Sequence, residues 1–404
     1  MPSLEFRRSV WHIAALCILL AYPIMGSKWF PFGGGPRYLS VLAAPVCLLL
    51  IFRASRSELQ PLWRETWRWC LPFLPFVAGW MFVQLWHQYT PVDAAPLSRL
   101  LWCALIFVGA RLAGVNYRHL AIAAGVAAAA YGAMAFWEVF VQGRERAWGR
   151  VYENRFGQYA IWVAALCVLH AVLGKPEDRS QKKLAVGLIF GSLLGLFAAI
   201  LSGSRGALMA LPVLMLMLIF KIMDWRRGIL VVTGMIAVMG ALCYFYSPIY
   251  SRFELIYTEI FNYFHDPSFT PTSIGVRLEL ARVSLVTWFE HPWLGAGYTS
   301  LKQLYETHPA LGVPPAGVLG IPGFHSDWFQ VLGTGGGVLF SCFFATCVWM
   351  CAAARRDAYR LSFLGFALAF SFAEIFFTNN LGLSLLMACW ALYAAAERNR
   401  KSPQ

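Results

Sequence analysis

The amino-acid sequence predicts an all-α, polytopic membrane protein of about twelve transmembrane helices, interrupted by one large helical loop outside the cytoplasm. Three observations predict it. Of 404 residues, 59% are hydrophobic and only 13% charged, against roughly 25% charged in an average soluble domain, and the mean hydropathy is +0.58. The apolar residues fall in runs of roughly 16 to 24, enough to cross a hydrocarbon core of about 30 Å at 1.5 Å per residue. Lys and Arg concentrate in alternate connections, as the retention of basic loops in the cytoplasm requires.

The spans are expected at residues 10–26, 38–52, 70–86, 97–111, 118–140, 157–173, 184–201, 206–222, 228–247, 326–352, 359–378 and 380–396. The first run follows Arg7 and Arg8, is too long for a signal-peptide core and has no evident small-residue cleavage site, so it reads as a retained span. The short loops at 53–69 (Arg53, Arg56, Arg64, Arg68) and 174–183 (Lys175, Arg179, Lys182, Lys183) are strongly basic. They put both termini in the cytoplasm. The same topology accounts for most of the net charge of +13, so no nucleic-acid partner is called for. Residues 1–247 form spans one to nine, 248–325 the inserted loop, and 326–404 the last three spans with a cytoplasmic tail.

All ten cysteines lie in or at the edge of apolar runs and none in the loop, which argues against a disulfide framework. Trp29, Trp86, Tyr89, Trp148 and Tyr152 sit near span ends, where interfacial belts place aromatic rings.

Within the loop, Ile249 to Phe264 reads as a first helix, ended by Asp266-Pro267. A second is expected from Ser273 to Glu290, where Leu278, Ala281, Leu285 and Trp288 form an apolar stripe, with His291-Pro292 as its stop. The glycine-punctuated Trp293–Tyr298 turn follows, then a Pro/Gly-rich stretch from Pro309 to Gly323 that can close over a site. The triplets Gly33–Gly35 and Gly335–Gly337 have no phosphate-loop context and read as turn and close-packing devices.

Arginines on the outer side oppose the positive-inside bias, so each asks for a reason. Arg144, Arg146, Arg150 and Arg155 crowd residues 141–156, where Glu145 and Glu153 offer ion pairs as the plainer explanation. Arg205 breaks two apolar runs in Leu201-Ser202-Gly203-Ser204-Arg205-Gly206; its alternatives are a ligand-binding charge and a snorkelling anchor. Arg277 and Arg282 are five residues apart on one helix, about 140° around its axis, and so do not serve one ligand group. Arg277, in the first turn, also has the helix N-terminus behind it to favour an anion.

His325 immediately precedes the tenth span. An imidazole, with a pKa ordinarily near 6.5, is the natural neutral-pH general base; a capping histidine is the alternative. His265, His291 and His308 are spaced poorly for a metal site, and none is expected. Glu138 and Glu374 sit in apolar runs, where a proton relay or a solvated vestibule would account for them. Several cations, one histidine base and no nucleotide motif suit a donor already activated and membrane-bound, such as a lipid diphosphate sugar. Diphosphate leaves readily once arginines compensate its charge.

The pattern Ser202-Gly203-Ser204-Arg205-Gly206, Arg277, Trp288-Phe289-Glu290-His291-Pro292-Trp293-Leu294-Gly295-Ala296-Gly297 and His325 before a glycine-containing span resembles the O-antigen ligase and polymerase superfamily. Arg150, ahead of the sixth span, resembles a further family position. The match is dense from about residue 200 to 340, and Ser326 stands where the family commonly has Asn. The resemblance implies a C-type glycosyltransferase-like fold in the bacterial inner membrane with a periplasmic active site and no cofactor or metal. Its donor would be an undecaprenyl-diphosphate-linked O-antigen. His325 would be the catalytic base, and Arg150, Arg205 and Arg277 the diphosphate ligands, with Arg146, Arg155 and His291 as further substrate contacts. The single large loop and short C-terminus look most like the ligase that uses a lipid A-core acceptor. A polymerase, a protein O-oligosaccharyltransferase and, outside the enzymes, a polyprenyl-glycan transporter are the alternatives.

Overall fold

The computed structural model describes residues 44–89, 93–149, 153–174, 178–208, 247–265, 272–315, 318–321 and 323–401, with a few positions between 212 and 234. The expected spans at 10–26, 206–222 and 228–247, and the start of that at 38–52, lie wholly or largely outside them, as does Arg150.

Every regular element among the described residues is helical. The α-helices are α1 (Ala44–Arg53), α2 (Arg56–Cys70), α3 (Leu74–Trp86), α4 (Ala95–Leu112), α5 (Tyr117–Phe136), α6 (Glu153–Leu173), α7 (Arg179–Leu201), α8 (Arg205–Leu208), α9 (Ser247–His265), α10 (Ser273–Glu290), α11 (Leu301–Thr307), α12 (Asp327–Ala354), α13 (Ala358–Ala373) and α14 (Asn380–Lys401). Among the described residues, seven stretches are long and apolar enough to cross a membrane: Arg56–Trp86, Ala95–Leu112, Tyr117–Val141, Asn154–Leu173, Arg179–Leu201, Asp327–Ala354 and Asn380–Arg400. They agree in place with seven expected spans.

Two boundaries differ from expectation, each for a local reason. The basic segment expected as a loop at 53–69 is mostly helix α2, because Ser55 and Glu58 form a reciprocal capping box that starts it. The span expected at 359–378 stops at Ala373, since Glu374–Asn379 is held in an irregular turn by the carboxylate of Asp327.

The bundle core is built from small and aromatic residues. On α5, Ala123, Ala124, Ala127 and Ala128 are fully buried, and α5 and α6 both pack on α7. A Cβ at Gly195 of α7 would stand 2.9 Å from the Ala164 Cβ and 3.0 Å from the Ala160 carbonyl oxygen of α6; small residues are what allow membrane helices this close. The outer face of α7, with Val186, Ile189, Phe190 and Leu193, is exposed and apolar, as a lipid-facing surface is.

At the far end of α13 from Glu374, Arg360 is buried, 2.7 Å from Asp357, and lies over the Trp69 ring at 4.2 Å. A charge so deep is tolerated because it is paired and stacked.

Residues 280–324 hold a second core, in which Leu280 and Val283 of α10, Leu301 and Leu304 of α11, Leu311, Val318 and Phe324 pack together. A polar hub locks it. Glu279 accepts hydrogen bonds from Tyr263 of α9 (2.7 Å), from Tyr305 of α11 and twice from Arg282 (2.9 and 2.6 Å). Burial alone would raise the Glu279 carboxyl, yet the bonds from Arg282, Tyr305 and Tyr263 together hold it below its ordinary value.

The loop docks on α12 through backbone. Gly336, with φ 58° and ψ −159°, breaks that helix, and the freed groups pair with the Pro292–Gly297 turn. Ala296 N–H donates to the Gly333 carbonyl (3.0 Å), Gly297 N–H to Thr334 (2.9 Å), Gly337 N–H to Pro292 (2.8 Å) and Val338 N–H to Trp293 (3.1 Å). Irregular backbone inside a spanning helix is possible only where protein satisfies it in this way. The expected packing role of Gly335–Gly337 thus takes the form of a docking seat for Trp293–Gly297.

Candidate functional site

His325 lies in the hinge between the loop core and α12. Its φ is 50°, a conformation that is uncommon outside glycine and costs on the order of 1–3 kcal/mol. Both neighbours are clamped. The Phe324 N–H donates to Gln330 Oε1 at 3.0 Å and its ring is buried in the loop core. The Ser326 hydroxyl donates to the Ser371 carbonyl at 3.0 Å, and Trp328 Nε1 donates to Ser371 Oγ at 2.8 Å. The strained rotation at His325 is therefore imposed by contacts on either side.

That rotation aims the imidazole at Glu374: His325 Nδ1 lies 2.7 Å from Glu374 Oε1, with the His325 side chain 31% and the Glu374 side chain 7% exposed. A carboxylate at Nδ1 fixes the hydrogen on that nitrogen and leaves Nε2 as the basic one. Glu374 is itself held by its turn, because Asp327 accepts from the N–H groups of Phe376 (2.7 Å), Phe377 (2.8 Å) and Thr378 (2.7 Å) and from the Thr378 hydroxyl (2.7 Å). Asn154 Nδ2 reaches the second oxygen of Glu374 at 3.4 Å.

Two arginines bear on the same carboxylate. Burial pushes the Glu374 carboxyl up, but the His325 hydrogen bond and charge, followed by the charges of Arg277 and Arg155, bring it below its ordinary value. Arg277 comes from the start of α10 and Arg155 from the start of α6. Helices distant in sequence thus bring a histidine, a carboxylate and two guanidinium groups to one end of the bundle.

The Ser202–Gly206 turn sits beside them. Ser204 Oγ accepts from Ala207 N–H (3.2 Å), capping α8, and donates to the Asn154 carbonyl (3.4 Å). A Cβ on Gly157 of α6 would come within 2.7 Å of the Ser204 Cβ, so the backbone that carries Arg205 lies against the first turns of α6, next to Asn154 and Arg155. The Arg205 side chain is outside the described residues.

The other candidates separate, except Arg146, which stays on the Ser202–Gly206 turn. Arg144 stacks on Trp148 at 4.5 Å and pairs with Glu138 at 3.8 Å. Glu138 is buried and accepts from the N–H groups of Trp148 (2.8 Å) and Gly149 (3.0 Å), so it ties the 142–149 loop and does not face a solvated vestibule. Arg146 is exposed and lies over Gly203. Arg282 is committed to Glu279. His291 is at the other end of α10 from Arg277, about 20 Å away at 1.5 Å per residue, and its neighbours are Glu290 and His308.

Sequence reasoning selected His325, Arg277 and Arg155 but not Glu374 as the histidine's partner, nor Asp327 and Asn154 as its supports. A signal was present. An acid in an apolar run followed by Thr378-Asn379-Asn380 marks a polar break in a membrane segment, and Asp327 stands two residues from His325.

Residues 190–344 match the family model described as O-Antigen ligase. The matched stretch holds the Ser202–Gly206 turn, Arg277, the Trp288–Gly297 segment and His325. No curated protein matches the chain.

Proposed function

We propose that this chain, assigned to the O-antigen ligase/polymerase family by its residues 190–344, is the ligase. It transfers O-antigen polysaccharide from undecaprenyl diphosphate to a sugar hydroxyl of lipid A-core, at the periplasmic face of the inner membrane. The observation that carries the reading is the His325–Glu374 pair with the charges of Arg277 and Arg155 converging on it.

In this reading Nε2 of His325 removes the proton of the acceptor hydroxyl, and the oxygen attacks the anomeric carbon as the bond to the diphosphate oxygen breaks. A single displacement inverts the anomeric configuration. Glu374 holds the imidazole and offsets the charge it gains. Arg277, with Arg205 and Arg150, neutralises the departing diphosphate; planar guanidinium groups bind its oxygens in pairs. Charge compensation of this kind serves a leaving group already low in basicity, so the step calls for neither a metal nor a separate acid. A polyprenyl-glycan transporter would instead gather polar groups near the bilayer midplane.

The test is deletion of the gene in its host, complementation with wild type or His325→Ala, and a lipopolysaccharide gel beside extracted lipid-linked glycan. Core free of O-antigen together with polymer accumulated on the lipid carrier supports the ligase. Core bearing one repeat unit identifies a polymerase, and an unchanged ladder removes both in favour of protein glycosylation or transport. Full activity of an inserted, folded His325→Ala protein overturns the base assignment.

A further inference from the structure

At the opposite end of α10 from Arg277, the chain gathers Glu290, His291 and His308, whose ligand atoms all lie within 4.8 Å of one another. His291 caps the C-terminus of α10 and His308 that of α11, so the cluster joins the ends of two helices. Their imidazole rings meet edge to face with centroids 5.5 Å apart.

The hydrogen bonds around His308 specify its tautomer. Nδ1 lies 3.0 Å from the Leu304 carbonyl oxygen, which only accepts, and 2.8 Å from Thr307 Oγ1. The Thr307 hydroxyl donates its hydrogen to the Gln303 carbonyl at 2.8 Å, so toward His308 it also accepts. The hydrogen of the neutral ring is therefore on Nδ1, which leaves the lone pair of that form on Nε2. That nitrogen has no hydrogen-bond partner in a residue only 5% exposed, and it faces Glu290 Oε2 at 3.5 Å.

Two electron-pair donors facing each other repel unless a proton or a metal ion lies between them. The separation of 3.5 Å exceeds the roughly 2.7–2.9 Å of a charge-assisted hydrogen bond. It matches the spacing of two ligands bound at about 2.0–2.2 Å in a tetrahedral shell. A carbonyl oxygen behind the other nitrogen of a ligand histidine is also the usual support in a metal site.

We propose that Glu290, His291 and His308 bind one divalent zinc-class cation, which clips the end of α10 to the end of α11. Two imidazoles and a carboxylate are ligands of borderline softness and select a zinc-like ion over calcium or magnesium. Glu290 and His291 are exposed and free to close on the ion, whereas His308 is pre-oriented by its burial and its two acceptors. The clip lies about 20 Å from Arg277 along α10. It is a structural site, and its first effect is to hold the Pro292–Gly297 turn on α12.

The test uses the full chain in detergent, purified without a histidine tag and stripped with chelator. Zinc titration, bound-metal analysis and thermal unfolding are compared for wild type, Glu290→Gln and His291→Ala, both at exposed positions so that folding is preserved. The expected result is one zinc per wild-type chain, a rise in Tm on adding zinc, and a loss of about 10-fold or more in zinc affinity in each variant. Wild-type protein that neither retains zinc nor gains Tm, or variants that bind as wild type does, overturn the proposal. A Tm lowered by Glu290→Gln in protein indifferent to zinc would show that His308 and Glu290 are an ion pair, which also overturns it.

Discussion

His325 Nδ1 stands 2.7 Å from Glu374 Oε1, and the positive φ of His325 is what turns its ring toward that carboxylate. In the proposed transfer the acid fixes the tautomer and supports the imidazolium that forms. Glu374→Gln keeps the shape but removes the charge and allows the ring to bond the wrong way round. Transfer from a lipid-linked donor is expected to fall by about 10²- to 10⁴-fold, with donor KM changing far less than kcat. A Glu374→Gln enzyme that retains wild-type kcat would remove Glu374 from the mechanism.

Asp327 acts one step further back. Its two oxygens accept three backbone N–H groups and one hydroxyl from Phe376 to Thr378, so Asp327→Asn turns an NH2 group toward donors it cannot bond. A loss of about 3 kcal/mol is expected from such a fully buried, mispaired group. Hydrogen exchange at residues 374–379 should quicken in Asp327→Asn while the loop core around Leu280 is little affected. Unchanged exchange there would mean that the turn holds Glu374 without Asp327.

The parts of this architecture that follow a local rule were legible in the chain itself. Ser273–Glu290 has an apolar stripe and a His-Pro stop, and the helix occupies those residues, with Thr272 as its cap. The spans at 97–111 and 184–201 show the same agreement within a few residues. Glu374 stood out as an acid in an apolar run, but its pairing with His325 was not legible, because the two are 49 positions apart and meet only through an irregular turn stabilised by Asp327. The Glu290–His291–His308 cluster escaped for a related reason: spacing of 17 residues between the histidines says nothing once a helix folds back. His325 and Arg277 stand out in the sequence by their chemistry and by a family resemblance; their convergence on one carboxylate is a property of the fold.

The seat of the Trp293–Gly297 turn on α12 depends on Gly336. A side chain there would adopt φ 58° and ψ −159°, a region almost restricted to glycine, and its Cβ would stand 2.5 Å from the Trp293 carbonyl carbon. Gly336→Ala should destabilise the protein by at least about 2 kcal/mol. Gly187→Ala, inside helix α7 where an added Cβ meets nothing within 4 Å, serves as the control and should unfold at or slightly above the wild-type temperature. Equal thermal unfolding of the two variants in detergent would refute the account of the α12 break.

Glu279 makes stability depend on pH in a defined direction. Its carboxyl is held below the ordinary 4.5 by Arg282, Tyr305 and Tyr263 against the opposing effect of burial. A depressed folded-state pKa means that the unfolded chain takes up the proton first as pH falls. The stabilisation is therefore complete above the unfolded pKa and is lost as pH drops through the lower, folded value. Glu279→Gln, which keeps the size but loses the charge, should cost about 2 kcal/mol near neutrality. The Tm gap between wild type and Glu279→Gln should stay level from neutral pH down to about 5 and narrow only below 4.5. Arg282 is charged throughout that range, so the narrowing reports the carboxylate. A gap that instead widened on acidification would mean that Glu279 is protonated in the folded loop, and that the hub linking α9, α10 and α11 is held by neutral hydrogen bonds.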